Sequence, residues 1–519
     1  MSKNLSNSVL LQAPERSTHN LTCETKTTTE LGRLTPIFMM EVVPGDKVDL
    51  NAEFLTKFQP MLAPVMQNFN AQIDYFYIPF RILWRDWKYF IAQIPAPGES
   101  VPPIFPTIEF TSAGQVTHNN SNLAPYFGIF DHNNAKEMNP LPYAAYQLIY
   151  NEYYRHEKIH PDLTNDIILT SGAHGYNSTL NTLRYRTYND DYFSAALTSP
   201  QAGEEAALNL LASAPLPVYR NDSPATSNNV KWQSTNVTGG AANETRAQNK
   251  LQNGGSGPIN PYHLWADPAD AAFQITLNEL IELVRAQEFL IRSNLAGNRY
   301  NEFIKAHFGI NVPDLRIDRP AYITGIKAPV VISEVLNTSS SQGFQTGQGN
   351  AYAEGGRANY EVLEHGLIMG IYSCIPSASY NNATPKLLWK NSVEDFYLPI
   401  FDQMGEQEIL NKEVHLAHTD PEGTFGYIPK YAEYRLPFNT VTGEFRTTLS
   451  TWHLGRELNE FTILDAEFFD IINQDRIFEI YAETADPILL QVINKVYADR
   501  PMKKYGMPTL TNDYGNNLL

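Results

Sequence analysis

Between Val65 and Tyr77 the odd positions read Val, Gln, Phe, Ala, Ile, Tyr, Tyr, and the even positions from 68 to 74 read Asn, Asn, Gln, Asp. Alternation with a period of two is the pattern of a strand that buries one face and wets the other. Pro79 ends the pattern, because proline has no N–H to give to a ladder. Beyond it Ile82, Leu83, Trp84, Trp87, Phe90 and Ile91 recur at helical spacing, interrupted by Arg81, Arg85 and Lys88. The pattern predicts a long antiparallel strand that runs into a basic, aromatic helical turn. Upstream, 34–43 and 47–58 read as two further strands about a Pro44-Gly45-Asp46 turn. The first 30 residues are polar, with the run TKTTTE at 25–30, and read as an extended N-terminal arm (1–30).

Regularity is lost after Ile91. Residues 93–139 carry Pro95, Pro97, Pro102, Pro103 and Pro106 and an Asn-rich run, the composition of a long surface loop. A helix is predicted over 143–157, in a stretch (LPYAAYQLIYNEYYR) that holds five tyrosines. From 201 to 262 Ala, Asn, Ser, Gly and Thr dominate, which marks a surface-exposed insertion loop. The clearest helix spans 273–292. There Phe273, Leu277, Leu280, Ile281, Val284 and Ile291 form one stripe, and Thr276 and Glu279 have capping-box spacing. A short helix is predicted over 301–307, then strands at 321–335, 360–375, 426–436 and 461–480, two of them separated by the Gly-rich piece 343–356. Strands early, helices in the middle and strands late describe one all-β barrel or sandwich over 1–519, completed across large insertions.

Composition sharpens this picture. The charged fraction is 18%, below the average of roughly 25%, while 29 Tyr, 26 Phe and 34 Pro are present. Such a chain builds short strands, long ordered loops and extensive contact surface. The net charge of −18 argues against a dedicated nucleic-acid binder, but it leaves room for local basic patches. Cys23 and Cys374 read as free thiols in a reducing compartment. The N-terminal residues lack the apolar core of a signal peptide, and no stretch reaches the roughly 18 apolar residues of a membrane span. A soluble protein made in a cytoplasm is expected.

The sharpest chemical motif is His156-Glu157-Lys158-Ile159-His160, which fits H-E-x-x-H, two zinc ligands one helical turn apart with a general base between them. Pro161 follows at once, so the helix that must carry the motif stops. Glu364-His365 and the Glu406/Glu408 pair of MGEQEIL read as a structural pair and a solvated helix start. No nucleophile elbow or phosphate loop is present. No catalytic residue, metal or cofactor is therefore expected. Three basic-aromatic patches remain as candidates for DNA contact, since cations bind phosphates and aromatic rings stack bases. They are Arg81, Arg85 and Lys88 around Trp84 and Trp87; Arg184 and Arg186 around Tyr185; and Arg500, Lys503 and Lys504 before Tyr505.

Several phrases, in order, carry a family resemblance: GRLTPIFMMEVVPGD, LAPVMQNFNAQIDYFYIPFRILW, PLPYAAYQLIYNEYYR, RYNEFIKAHFGINVPDLRIDRPAYITG, LEHGLIMGIYS, FGYIPKYAEYRLPFNTVTGEFR and RPMKKYGMP. With them the chain resembles the major capsid proteins of Microviridae, small single-stranded DNA phages, of the gokushovirus-like kind. It departs from the family after Asp191-Tyr192-Phe193, where TSPQAG stands in place of a Pro-Trp-Pro phrase. The resemblance implies an eight-stranded antiparallel jelly-roll barrel with long loop and helical insertions. It further implies a virion protein, assembled in the bacterial host cytoplasm as a homo-oligomer of roughly sixty copies in a T=1 icosahedral shell around circular single-stranded DNA. The implied partners are a small basic DNA-packaging protein, a pilot (minor capsid) protein, a scaffolding protein and a host surface receptor met by the 201–262 insertion, with no membrane insertion. The competing reading is a jelly-roll glycan-binding protein or glycoside hydrolase that works through aromatic platforms and paired carboxylates.

Overall fold

The computed structural model describes residues 15–504 apart from 119–120, 130–135, 298, 337–344, 403, 473, 480–484 and the part of 204–276 outside five short strands. Most of the predicted 201–262 insertion lies outside the described residues. The chain divides into two compact units, Met1–Pro200 with Gly297–Leu519, and Gln201–Ala296. In the second unit the clearest predicted helix runs over Leu277–Ala296, and its Leu280, Ile281 and Val284 are exposed. Its predicted cap at Thr276 lies outside the described residues.

Besides a small three-stranded sheet of Thr107–Phe110, Lys136–Met138 and Ala173–His174, the first unit has, among the described residues, twelve strands that we number in chain order: β1 (Ser17–Asn20), β2 (Cys23–Thr29), β3 (Thr35–Val42), β4 (Lys47–Phe58), β5 (Phe69–Pro79), β6 (Ala321–Pro329), β7 (Val331–Leu336), β8 (Gln345–Glu361), β9 (Gly366–Pro376), β10 (Glu406–Leu410), β11 (Thr424–Pro429) and β12 (Ile488–Arg500). Two antiparallel sheets dominate. In the first, β1 and β2 lie end to end along β12, followed by β4, β8 and β7; in the second the order is β6, β5, β9, β3. The coarse expectation of an antiparallel all-β protein with inserted helices holds. Residues 17–29, read as part of an extended arm, form two edge strands whose partner is β12, far along the chain.

The sheets face one another across one core. Along β4 the residues Val48, Leu50, Ala52, Phe54, Thr56 and Phe58 are buried and the intervening ones are not, as an open outer face requires. Phe54 packs edge-on to Tyr372 of β9 at 6.2 Å between centroids, and Tyr372 shares a 3.0 Å hydrogen bond with Thr56. Tyr75 donates to Asn494 of β12 at 2.5 Å. The second sheet is buried on its other face as well: Phe76, Ile78, Leu367, Met369 and Ile371 belong to a separate core with residues 80–183. That is why the alternation of β5 dissolves into Tyr75-Phe76-Tyr77-Ile78 and why every residue of β9 is buried.

The covering layer includes α1 (Phe80–Leu83), α2 (Trp87–Ala92) and α3 (Leu141–Ile149), the last continuing as one wide turn through Tyr154. Three of its tyrosines, Tyr146, Tyr153 and Tyr154, bury their rings wholly or in part and keep their hydroxyls bonded. Tyr146 donates to the Leu34 carbonyl at 2.8 Å and Tyr154 to Asp74 at 2.9 Å. At the seam of sheet, layer and β12 lies Arg33, with no exposed side-chain surface. It pairs with Glu30 (2.7 Å) and Asp486 (3.0 Å) and donates to Tyr126 at 2.9 Å.

Five predicted elements differ. The surface loop predicted over 93–139 carries the strand Thr107–Phe110 and buries Ile108, Phe110, Val116 and Leu123, and the strand predicted over 426–436 ends at Pro429. The strand predicted over 461–480 is absent among the described residues: Asp465 caps a short helix, Ala466–Phe469, from which Phe468 and Phe469 enter the core, while Ile471 and Phe478 enter it from irregular backbone. The Gly-rich piece 343–356 is no separator, because β8 runs through it. A β-carbon on Gly349 would stand 2.8 Å from the Phe58 ring, and one on Gly347 2.8 Å from the Ala63 carbonyl. MGEQEIL is strand β10, paired with β11, not a helix start.

Arg33→Met strands Glu30 and Asp486 without their cation, so urea denaturation is expected to show a loss of about 3–5 kcal/mol. Gly349→Val drives a side chain into Phe58 and is expected to cost about 1–3 kcal/mol. An unchanged midpoint for either contradicts the packing described.

Candidate nucleic-acid and assembly interface

Two of the three basic patches gather at one end of the sandwich. The β3–β4 turn and the β8–β9 turn are joined there, Gly45 N–H to Val362 O at 2.7 Å and Val362 N–H to Asp46 O at 2.9 Å. β5 leaves at the same end, with Phe80 N–H on the His365 carbonyl, and β12 arrives with Asp499 opposite Lys47. The edge of this end is therefore built from residues that the register of both sheets brings level.

Most of its cations are neutralised locally. Arg81 holds Glu364 (2.9 Å) and Asp318 (2.5 Å), Arg500 holds Asp46 (3.3 Å) and donates to the Glu41 carbonyl, and Lys503 lies 3.9 Å from Glu15. The Glu364 and Asp318 contacts raise the Arg81 pKa, the Glu364 hydrogen bond most. Arg16 and Arg357, which sequence reasoning missed, are likewise bound to Asp499 and Asp49. No spacing in the sequence links these partners, because each pair joins segments far apart along the chain. Arg85 and Lys504 are exposed and make no ion pair among the described residues; exposed Lys88 lies over the Tyr89 ring.

The aromatic residues of this patch do not form a stacking platform. Trp84 is fully buried and packs against Phe90 (5.3 Å) and Phe105 (5.6 Å), while Trp87 packs on Phe80 and His365. They anchor the strand exit to the covering layer. Glu364 and His365 are thus an ion-pair partner and a packing contact.

Arg184 and Arg186 stand elsewhere, under the covering layer. Arg184 donates to Gln147 at 2.8 Å and lies over the Tyr150 ring; Arg186 donates to Ser373 of β9 at 3.1 Å and lies over Tyr154. Both guanidinium groups are occupied: Arg184 ties α3 to the Thr179 carbonyl, and Arg186 ties the wide turn after α3 to the second sheet.

The H-E-x-x-H residues diverge, since the wide turn ends at Tyr154 and Arg155 has extended backbone. The His156 ring lies on Phe469 with centroids 4.2 Å apart, Glu157 pairs with Arg299 at 2.6 Å, and His160 meets Asp470 at 3.1 Å. Among the described residues no group of three or more His, Cys, Asp or Glu could hold a metal ion. Glu406 sits half-buried on β10, and burial pushes its carboxyl up to about 7, with Lys158 opposing.

Residues 8–510 match the family described as capsid protein (F protein). The chain belongs to that capsid-protein family. It is similar to "Capsid protein VP1" of Bdellovibrio phage phiMH2K, 29% identical over 95% of each chain. The protein of that name in Chlamydia phage 1 is 28% identical over 85% of this chain and 87% of its own, and that of Spiroplasma virus 4 is 26% identical over 92% of each. All three phages are Microviridae, as the sequence phrases imply. Members of the capsid family are structural proteins and not enzymes, so the hydrolase and zinc-peptidase readings are set aside.

Burial pushes the His156 imidazole down to about 4, with His160 adding to the effect. Its folded form is neutral, so the linked stability is complete above the ordinary value of 6.5 and is lost as pH falls from there through about 4. His156→Phe keeps the contact with Phe469 and removes the titration. Its melting temperature is expected to decline less than that of the wild type across this window, and parallel declines contradict the assignment.

Proposed function

We propose that this chain is the major capsid protein of a T=1 icosahedral shell, roughly sixty copies closing by heterologous contacts around circular single-stranded DNA. Its scaffold, on this reading, is an eight-stranded jelly roll. The order of strands supports it: β2, β12, β4, β8 in one sheet and β3, β9, β5, β6 in the other, with consecutive strands of these eight crossing between the sheets at every step but β5 to β6. The observation that carries the functional reading is the family match over 8–510.

A net charge of −18 leaves most DNA neutralisation to other molecules. A small basic packaging protein supplies it, while a scaffolding protein and a pilot protein complete assembly in the bacterial cytoplasm. The 201–262 insertion is the proposed receptor contact. Direct DNA contact falls to the unpaired cations Arg85, Lys88 and Lys504, supported by Arg81, Arg500 and Lys503 in their ion pairs. Arg184 and Arg186 contribute through the fold beneath them.

Electron microscopy of purified particles is expected to show uniform shells of roughly 25–30 nm. Failure to form shells with the other virion proteins present overturns the reading. Arg85→Gln with Lys88→Gln is expected to leave shells intact and lower the DNA per particle. The salt slope of single-strand binding is expected to fall by about 1.4. An unchanged slope and DNA content contradict the DNA role.

A further inference from the structure

Residues 386–404 invert the usual polarity of a surface loop. The segment is ordered by three short 3-10 turns, Lys386–Trp389, Val393–Asp395 and Pro399–Phe401, and by a capping box in which Asp395 accepts from Asn391 and Ser392 N–H at 3.0 and 2.8 Å. Several of its polar groups are tied down, although Asn391, Ser392 and Glu394 stay exposed. Lys390, with 2% of its side chain exposed, pairs with Glu433 at 2.6 Å; Trp389 donates to Thr384; Tyr431 donates to the carbonyls of Glu394 and Phe396. Asp402 is held by Arg435 at 2.8 Å.

Most of what faces outward is apolar. Leu387, Leu388, Val393, Phe396, Ile400 and Met404 are all exposed, Leu388 by 70% and Ile400 by 81%. Taking ~180 Å² for a fully exposed side chain, these six present ~700 Å², more than the ~300–600 Å² of the largest patch on a typical monomer. It approaches the ~800 Å² that one partner gives to a standard interface. The segment is already rigid, so docking on it orders little and retains most of the gain from burial. Charge narrows the occupant. Copies of a chain that carries −18 repel one another, so they meet most favourably where carboxylates are withdrawn. Asp395 and Asp402 are tied into the loop, which leaves Glu394 as its one carboxylate outside such a pairing.

We infer that the 386–404 ridge is a subunit–subunit contact, buried against a second copy of this chain in the shell. The inference rests on the capsid reading and adds where the shell is sealed.

The test compares shells made with Ile400→Asp and with Ile400→Cys, the latter in a Cys23→Ser background so that Cys374, which is buried, is the only other thiol. Ile400→Asp is expected to keep the wild-type melting temperature while the yield of shells on a sucrose gradient falls at least tenfold. The Ile400→Cys thiol is expected to react with a maleimide at least tenfold more slowly in shells than in dissociated subunits. A bifunctional maleimide should then give a product with the mass of two copies. Shells of Ile400→Asp at wild-type yield, equal labelling rates, or cross-linking to a different virion protein overturn the inference. If wild-type chains form no shells, the capsid reading itself falls; if wild type and variant both form them, only the role of this ridge does.

Discussion

A sheet buried on both faces cannot stand without a second layer, and this requirement organises the first unit. The β6-β5-β9-β3 sheet gives one face to the core it shares with β4 and β12 and the other to the tyrosine-rich layer around α3. Arg33 sits where the parts meet. Its guanidinium joins Glu30 at the end of β2, Tyr126 in the covering layer and Asp486 just before β12. A charge with no exposed surface is stable only with its partners in place, so the network sets one arrangement of layer and sheet as well as holding it.

The same division decides how the protein uses its aromatic residues. Tyr153 and Tyr154 pack tilted and edge-on to Phe76 of the sheet, they and Tyr146 keep their hydroxyls bonded, and Trp84 is sealed among Phe90 and Phe105. The long connection 80–320 is therefore more than decoration, because its first hundred residues complete a core. By contrast the first sheet keeps its outer face open, and ion pairs such as Lys495 with Glu53 and Glu354 cross its strands there.

Much of this was legible in residue patterns, and the exceptions have physical causes. β4 was readable to the residue because it faces one core and one solvent; β5 was readable until its second face became buried. β12 was missed because Leu489, Ile493 and Tyr497 place apolar residues on its outer side and blur the alternation. The strand predicted at 461–480 was apolar for core filling, not for pairing. The glycines of β8 looked like a break, yet they let the backbone pass against Phe58 and Pro64. At the candidate site the cations were visible and their carboxylates were not, since Arg81 with Glu364 and Arg500 with Asp46 pair between segments distant in sequence. The family phrases reached further than periodicity, because they encode those distant pairings without displaying them.

The position of β12 has a consequence in time. It lies between β2 and β4, and Asn494 on it receives the Tyr75 hydroxyl across the core. A nascent chain that has made every earlier strand still has a gap through the middle of its first sheet. Closing that gap requires contacts between residues more than four hundred positions apart, as Ile488 opposite Thr29 illustrates. Such closure is slow and comes last. Chains still on the ribosome therefore lack the finished sheet from which neighbours could be recruited, and maturation of the subunit precedes its polymerisation.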